Sequence, residues 1–321
     1  MSTAAVETVR GPVELDRLGP TLMHEHVFVF DPEAIDNWGN LFGAPLWDEE
    51  TRVADAIAKL TRLREGGIHT IVDPTVYGLG RSIPRLRRIN AEVDLNIVVA
   101  TGVYAFLELR GFLAYRGDDW ITELFVREIR DGIDDTGVKA AFLKCAVEHY
   151  GIVGDVPRIL GCIAAAAVET DAPVMVHTSA PAKMGIPALE HLTKAGVDPR
   201  RIVIAHAGDS NDLPYLRAIA DTGASLGCDR FNIPHFNPDE NRIETMVALV
   251  AEGYAGSIHL GHDGACFYDF MIGNPPFANE KPDYLHISQR IVPQLLDRGV
   301  TQEQVDTMFV DNPHQFFAPL D

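Results

Sequence analysis

The sequence predicts a (β/α)8 barrel of the TIM type, with its active site at the C-terminal face of the strands. Three observations predict it. Eight short apolar, β-branched runs recur along the chain, amphipathic segments alternate with them, and no Pro/Gly/Ser-rich linker interrupts the series. Continuous apolar runs are what parallel strands buried on both faces look like. Strict strand–helix alternation implies right-handed crossovers, and eight such units can close on themselves.

The predicted strands are 21–28, 68–73, 96–101, 138–144, 173–178, 201–206, 224–228 and 257–263. Between them the segment 48–65 puts Val53, Ile57, Leu60 and Leu63 on one helical face, and Gly66-Gly67 stops it. Segments 81–91, 120–133, 156–170, 188–195, 213–222, 243–252 and 284–296 read as helices in the same way. A doubly wound open sheet would call for a G-x-G-x-x-G after the first strand, and none is there. The expectation is a single barrel domain over residues 1–321.

The 321 residues are 46% hydrophobic, enough for a core of this size. Their formal net charge of -19 repels phosphate backbones and anionic bilayers, so nucleic acid and membrane surfaces are not expected partners. Cys145, Cys162, Cys228 and Cys266 include no C-x-x-C pair, which argues against a zinc knuckle and fits a reduced, cytoplasmic setting. The opening MSTAAVETVRGPVELD lacks the basic-then-apolar order of a signal peptide, and the most apolar stretch, 159–168, is too short to span a bilayer.

The polar residues at the strand ends carry the chemistry. The first strand ends in LMHEHVF, whose His24 and His26 are two apart and project to the same side. The fourth ends in FLKCA with Lys144, the fifth in VMVHTS with His177, the sixth in IVIAHAGD with His206, and the eighth in HLGHD with Asp263. Any one of these has an ordinary explanation as a hydrogen-bonded core residue, an ion-pair partner or a helix cap. Together, at the face where barrel active sites sit, four imidazoles, a lysine and a carboxylate would point into one cavity. His69, His149, His191, His235, His259, His262, His286 and His314 are set aside, because they lie early in a strand, on a helix, off the strand ends, or on the wrong side of Asp263.

The order H-x-H, Lys, His, His, Asp is similar to the binuclear amidohydrolases. Within them the strings GPTLMHEHVF, TIVDPTVYGLGR, NIVVATGVY, DTGVKAAFLKCA, HAGDS, GCDRF and VDNPHQFF resemble the phosphotriesterase-like lactonase family. The resemblance implies two divalent ions, which could be zinc, cobalt, manganese or iron. His24, His26 and Asp263 would hold the more buried one, and His177 and His206 the more exposed one. Lys144, carbamylated by CO2, would bridge them. A hydroxide between the metals would be the nucleophile, and Asp263 would move its proton. The resemblance further assigns Tyr104 to lactone orientation and Arg230 to the pocket mouth. It implies a small lactone or ester substrate, N-acyl-homoserine lactones first, with side activity on phosphotriesters, and a homodimer. A dedicated phosphotriesterase, carboxylesterase or amidase is the alternative. A metal-free scaffold is a third reading, which the intact ligand set disfavours. The substrate-facing strings depart from the family pattern: AFLELRGFLAYRG follows Tyr104, TSAP follows His177, and Gly261 stands where relatives commonly carry serine. The long segment after the eighth strand carries Phe267, Tyr268, Phe270, Met271 and Phe277, which could line an acyl channel as in that family, pack against their own barrel or form a dimer contact.

Overall fold

The structure, a computed structural model, describes residues 4–40, 47–104, 106–269 and 283–320. A hairpin of β1 (Ala5–Thr8) and β2 (Gly11–Glu14) leads into the barrel. Strands β3 (Thr21–Leu22), β4 (Glu25–Val29), β5 (Thr70–Asp73), β6 (Asn96–Gly102), β7 (Phe142–Val147), β8 (Val174–Thr178), β9 (Ile202–Ala205), β10 (Ser225–Cys228), β11 (Ile258–Leu260) and β12 (Gly264–Tyr268) follow. Eight of them form one parallel sheet in the order β11-β10-β9-β8-β7-β6-β5-β3. The Met23 N–H donates to the Leu260 carbonyl at 2.8 Å and brings the two edges together, closing a TIM barrel.

The helices between strands are α1 (Pro32–Trp38), α2 (Glu49–Glu65), α3 (Ile83–Asn90), α4 (Asp118–Arg130), α5 (Val156–Thr170), α6 (Gly185–Lys194), α7 (Leu213–Ala220) and α8 (Asp239–Ala251). After them come α9 (Val292–Asp297), α10 (Gln302–Asp306) and α11 (Asn312–Phe317). Helix α2 shows how the sequence sets its limits. The Asp48 carboxylate caps it by accepting from the Thr51 N–H, Val53, Ala56, Leu60 and Leu63 face inward, and Gly67 leaves it at φ +93°. No helix of the described residues is long and apolar enough to cross a membrane.

The first predicted strand is in fact two. Its first half pairs with β5, while its second half, β4, pairs in parallel with β12. That switch of partner brings His24 and His26 next to the turn that carries Asp263. The fourth strand starts at Phe142 rather than 138 and runs three residues past Lys144. The predicted helix 284–296 opens with a widened turn over Ile287–Ile291, because Pro293 has no N–H for the α-helical bond. Phe267 and Tyr268 lie in β12 rather than in a loop. Phe267 packs on Trp47, ring centroids 5.1 Å apart, with the Arg52 guanidinium 4.4 Å from its ring centre. Phe270, Met271 and Phe277 lie outside the described residues.

Gly102 shows how closely the strands are packed around the site. At φ +137° it ends β6, and a side-chain carbon there would run into the Lys144 carbonyl oxygen. Only glycine meets both conditions.

Candidate metal and active site

A cavity of about 640 Å³ opens at the C-terminal ends of the strands. His24, His26, Lys144, His177, His206, Asp263, Tyr104 and Arg230 all line it. Six positions chosen from the sequence as metal ligands, scattered from residue 24 to residue 263, thus face one space.

Their hydrogen bonds determine which ring nitrogen each imidazole turns inward. His24 Nδ1 lies 2.8 Å from Asp229 Oδ2, and His206 Nδ1 lies 2.9 Å from Asp229 Oδ1. A single buried carboxylate thus accepts a proton from each of two rings. His26 Nδ1 lies 2.7 Å from Thr75 Oγ1, whose hydroxyl in turn donates to Asp73 at 2.5 Å. His177 Nε2 lies 3.1 Å from Glu148 Oε1. With the outer nitrogens committed as donors, the inner ones carry lone pairs. His24 Nε2 and His26 Nε2 lie 3.2 and 3.3 Å from Asp263 Oδ1, and His206 Nε2 lies 2.9 Å from His177 Nδ1.

This last contact tests whether metal fits. Two ring nitrogens that have their protons on the far side repel one another at 2.9 Å unless a cation lies between them. The His24, His26 and Asp263 ligand atoms likewise converge within 4.8 Å. Nitrogen and carboxylate donors of this kind suit zinc or a neighbouring divalent transition metal.

Lys144 is buried, with Nζ 3.5 Å from His24 Nε2. Burial lowers its pKa to about 8, against the pull of Asp263 and Asp229. An amine that loses its proton so readily can react with CO2, and the resulting carbamate would supply two ligand oxygens in place of a repelling cation. The geometry therefore fits the bridging role that the family resemblance gives this residue.

Two residues of the site have left-handed backbones, His206 at φ 65° and Asp263 at φ 50°. Such conformations cost about 1–3 kcal/mol for a residue with a side chain and must be held by their surroundings. Asp229 Oδ1 accepts the His206 N–H at 2.9 Å. The buried Glu25 carboxylate accepts the N–H groups on either side of Asp263, from His262 at 2.7 Å and Gly264 at 3.3 Å. His262 also gives its Nδ1 proton to Glu25 at 2.6 Å, so the residue beside Asp263 braces the turn and points away from the cavity.

Arg230 lines the cavity beneath the ring of the exposed Phe236, its guanidinium carbon 4.1 Å from the ring centre. Its Nε lies 2.9 Å from Asp263 Oδ2, and a terminal nitrogen lies 3.0 Å from Asp209 Oδ2. Asp209 is held in turn by Arg242 at 2.5 Å. Burial works to raise the Asp263 pKa, but the neighbouring His24 and His206 rings and the Arg230 guanidinium outweigh it and hold the carboxylate well below the usual range. Tyr104 packs its ring edge against His177, centroids 5.1 Å apart, and donates its hydroxyl proton to Glu148 at 3.2 Å.

Sequence reasoning missed Asp229, Glu148, Asp209, Thr75 and Glu25. It also set His149 aside as lying off a strand end. Because β7 runs on to Val147, His149 follows that end closely and lines the cavity. Asp229 had a usable signal, since it directly follows β10 in GCDRF.

A profile of the phosphotriesterase family matches residues 4–317. The "Phosphotriesterase homology protein" of Mycobacterium tuberculosis is 41% identical over 97% of this chain and 97% of its own length. The "Aryldialkylphosphatase" of Saccharolobus solfataricus is 35% identical over 95% of this chain and 97% of its own. An "N-acetyltaurine hydrolase" of Salmo salar is 27% identical over 98% and 97%. The solved structure of the phosphotriesterase from Mycobacterium tuberculosis superposes with a TM-score of 0.93 at 40% identity, covering 98% of both chains. With a match this close to end to end, the chain belongs to the phosphotriesterase family of hydrolases.

Proposed function

We propose that this hydrolase is a binuclear metal enzyme whose main substrates are lactones, N-acyl-homoserine lactones among them, with phosphotriesters as side substrates. The observation that carries the metal reading is the convergence of bare ring nitrogens described above. The lactone preference is supported by Tyr104 beside His177 and by an apolar wall of Val29, Phe30, Leu79, Ile233 and Phe236 that suits an acyl chain.

Two divalent cations, when bound, supply an activated water and polarise the substrate's carbonyl or phosphoryl oxygen. His24, His26 and Asp263 would hold one, His177 and His206 the other, and Lys144 would link them. Asp263 Oδ1 faces the two histidines of the first strand, while Oδ2 is held toward Arg230. Asp263 takes the proton shed as the water oxygen bonds to carbon. It returns that proton to the ring oxygen as the ester C–O bond breaks. Arg230 keeps Asp263 ionised between turnovers and fixes its rotamer. Asp209 and Arg242 fix Arg230 in turn. The barrel acts as one domain, and by family analogy two copies pair as a homodimer in the cytoplasm.

A second reading, a dedicated phosphotriesterase or an amidase, draws on the relatives named aryldialkylphosphatase and N-acetyltaurine hydrolase. Comparing kcat/KM on a long-chain homoserine lactone, an aryl phosphotriester and an N-acyl amide separates these. The lactone should lead, and a higher value for either other class would replace it.

A further inference from the structure

Glu148 is an acid of the cavity that the reaction described above leaves unused. It lies just past the end of β7, half-buried, four residues beyond Lys144. One of its oxygens, Oε1, takes part in two contacts, with His177 Nε2 at 3.1 Å and the Tyr104 hydroxyl at 3.2 Å. His177 and Tyr104 themselves meet edge to face. The three side chains form a closed triangle in which every edge is a direct contact.

Both contacts fix a choice. An imidazole carries its single proton on either nitrogen, and the one facing a carboxylate keeps it. Glu148 therefore holds the His177 proton on Nε2 and leaves Nδ1 bare toward His206. Asp229 does the same for His24 and His206 from the opposite wall. A phenol has one proton and two lone pairs. With its proton given to Glu148, Tyr104 offers its lone pairs to the cavity and accepts from a substrate N–H or O–H.

We propose that Glu148 is a positioning residue that holds His177 and Tyr104 as one unit, setting the ring nitrogen that faces the metal space and making Tyr104 a hydrogen-bond acceptor toward substrate. The proposal rests on His177 being a metal ligand, as the proposed function has it. A partner on the outer nitrogen of a ligating histidine commonly accounts for 10–100-fold in metal affinity. An accepting Tyr104 favours substrates with a donor beside the scissile bond, such as the amide N–H of an N-acyl lactone.

The test uses the full-length, metal-loaded protein and measures retention of Co2+ against a chelator at equilibrium. Glu148→Ala should weaken retention of the second equivalent by 10–100-fold. Glu148→Gln, whose carbonyl oxygen can still accept both bonds, should recover part of the loss and guards against a folding defect in the first variant. Tyr104→Phe should leave retention within about twofold, since only the His177 contact bears on it. Unchanged retention in Glu148→Ala overturns the proposal. So does complete loss of one equivalent in both Glu148 variants, which would make Glu148 a ligand. The Tyr104 half is read from kcat/KM on N-acyl-homoserine lactone. Glu148→Gln should matter less in a Tyr104→Phe background than alone, and additive losses overturn that half. A wild-type protein that binds no metal would sink the proposed function instead.

Discussion

The Asp229 carboxylate receives both the main-chain N–H and the Nδ1 proton of His206, each at 2.9 Å, while its second oxygen takes Nδ1 of His24 at 2.8 Å. One buried acid thereby sets the tautomer of two inward-facing rings and pins the left-handed backbone of one of them. Asp229→Asn should lower metal affinity or turnover by about 10–100-fold with the barrel still folded. Metal content per chain, read beside the circular dichroism spectrum, checks this. Full metal loading at wild-type affinity would remove Asp229 from the account.

Lys144 lines the cavity with its Nζ 3.5 Å from His24 Nε2, and its burial already lowers its pKa to about 8. Lys144→Ala should be inactive, because the cavity then loses the carbamate that would link the two proposed cations. Short carboxylic acids such as acetate or propionate should restore part of the activity by occupying the vacated space. Activity of the unrescued variant equal to wild type would contradict a bridging lysine.

Tyr104 touches His177 and faces the cavity, so its hydroxyl should bear on substrate more than on metal. Tyr104→Phe should reduce lactone kcat/KM by about tenfold, the equivalent of one hydrogen bond, and reduce phosphotriester turnover less. Equal losses on both substrates would deny it a role in specificity.

His259 offers a test of stability away from the site. It is buried in β11 against Phe316, ring centroids 5.9 Å apart, and its Nδ1 has no hydrogen-bond partner among the described residues. Burial pushes its pKa down to about 4. Unfolding frees it to bind a proton at its ordinary value near 6.5, so its contribution to stability is full above that pH. The contribution is lost as pH falls from 6.5 toward about 4, on the order of 3 kcal/mol in all. His259→Leu should therefore show a flatter fall of Tm between pH 7 and 4.5 than wild type. Parallel curves would show that His259 takes up its proton as readily in the folded protein as in the unfolded chain.

Much of the fold was legible because the barrel has a strong sequence rhythm. Buried parallel strands are apolar on both faces, and each ends in a residue whose polarity stands out, as in VMVHTS and IVIAHAGD. Strand breaks were not legible. Nothing in TLMHEHVF marks the point where the pairing partner changes, since that depends on β12, some 240 residues away in the chain. The strand-end side chains that line the cavity could be read from spacing and position, but not the residues that hold them. Asp229, Glu148 and Thr75 act through contacts with residues 23 to 205 positions distant, and only Asp229, directly after a strand, carried a local signal. Arg230 was expected at the rim because its chain position resembles that of a rim residue. Its two carboxylate partners, Asp209 and Asp263, were not legible in the sequence, since they stand 21 and 33 positions away.

Cations complete the proposed site, and metal removal tests this most directly. The purified protein should carry about two divalent ions per chain. Exhaustive chelation should abolish hydrolysis of its best substrate, and adding back zinc or cobalt should restore it. A thoroughly chelated protein that hydrolysed the same substrate at the original rate would contradict the account.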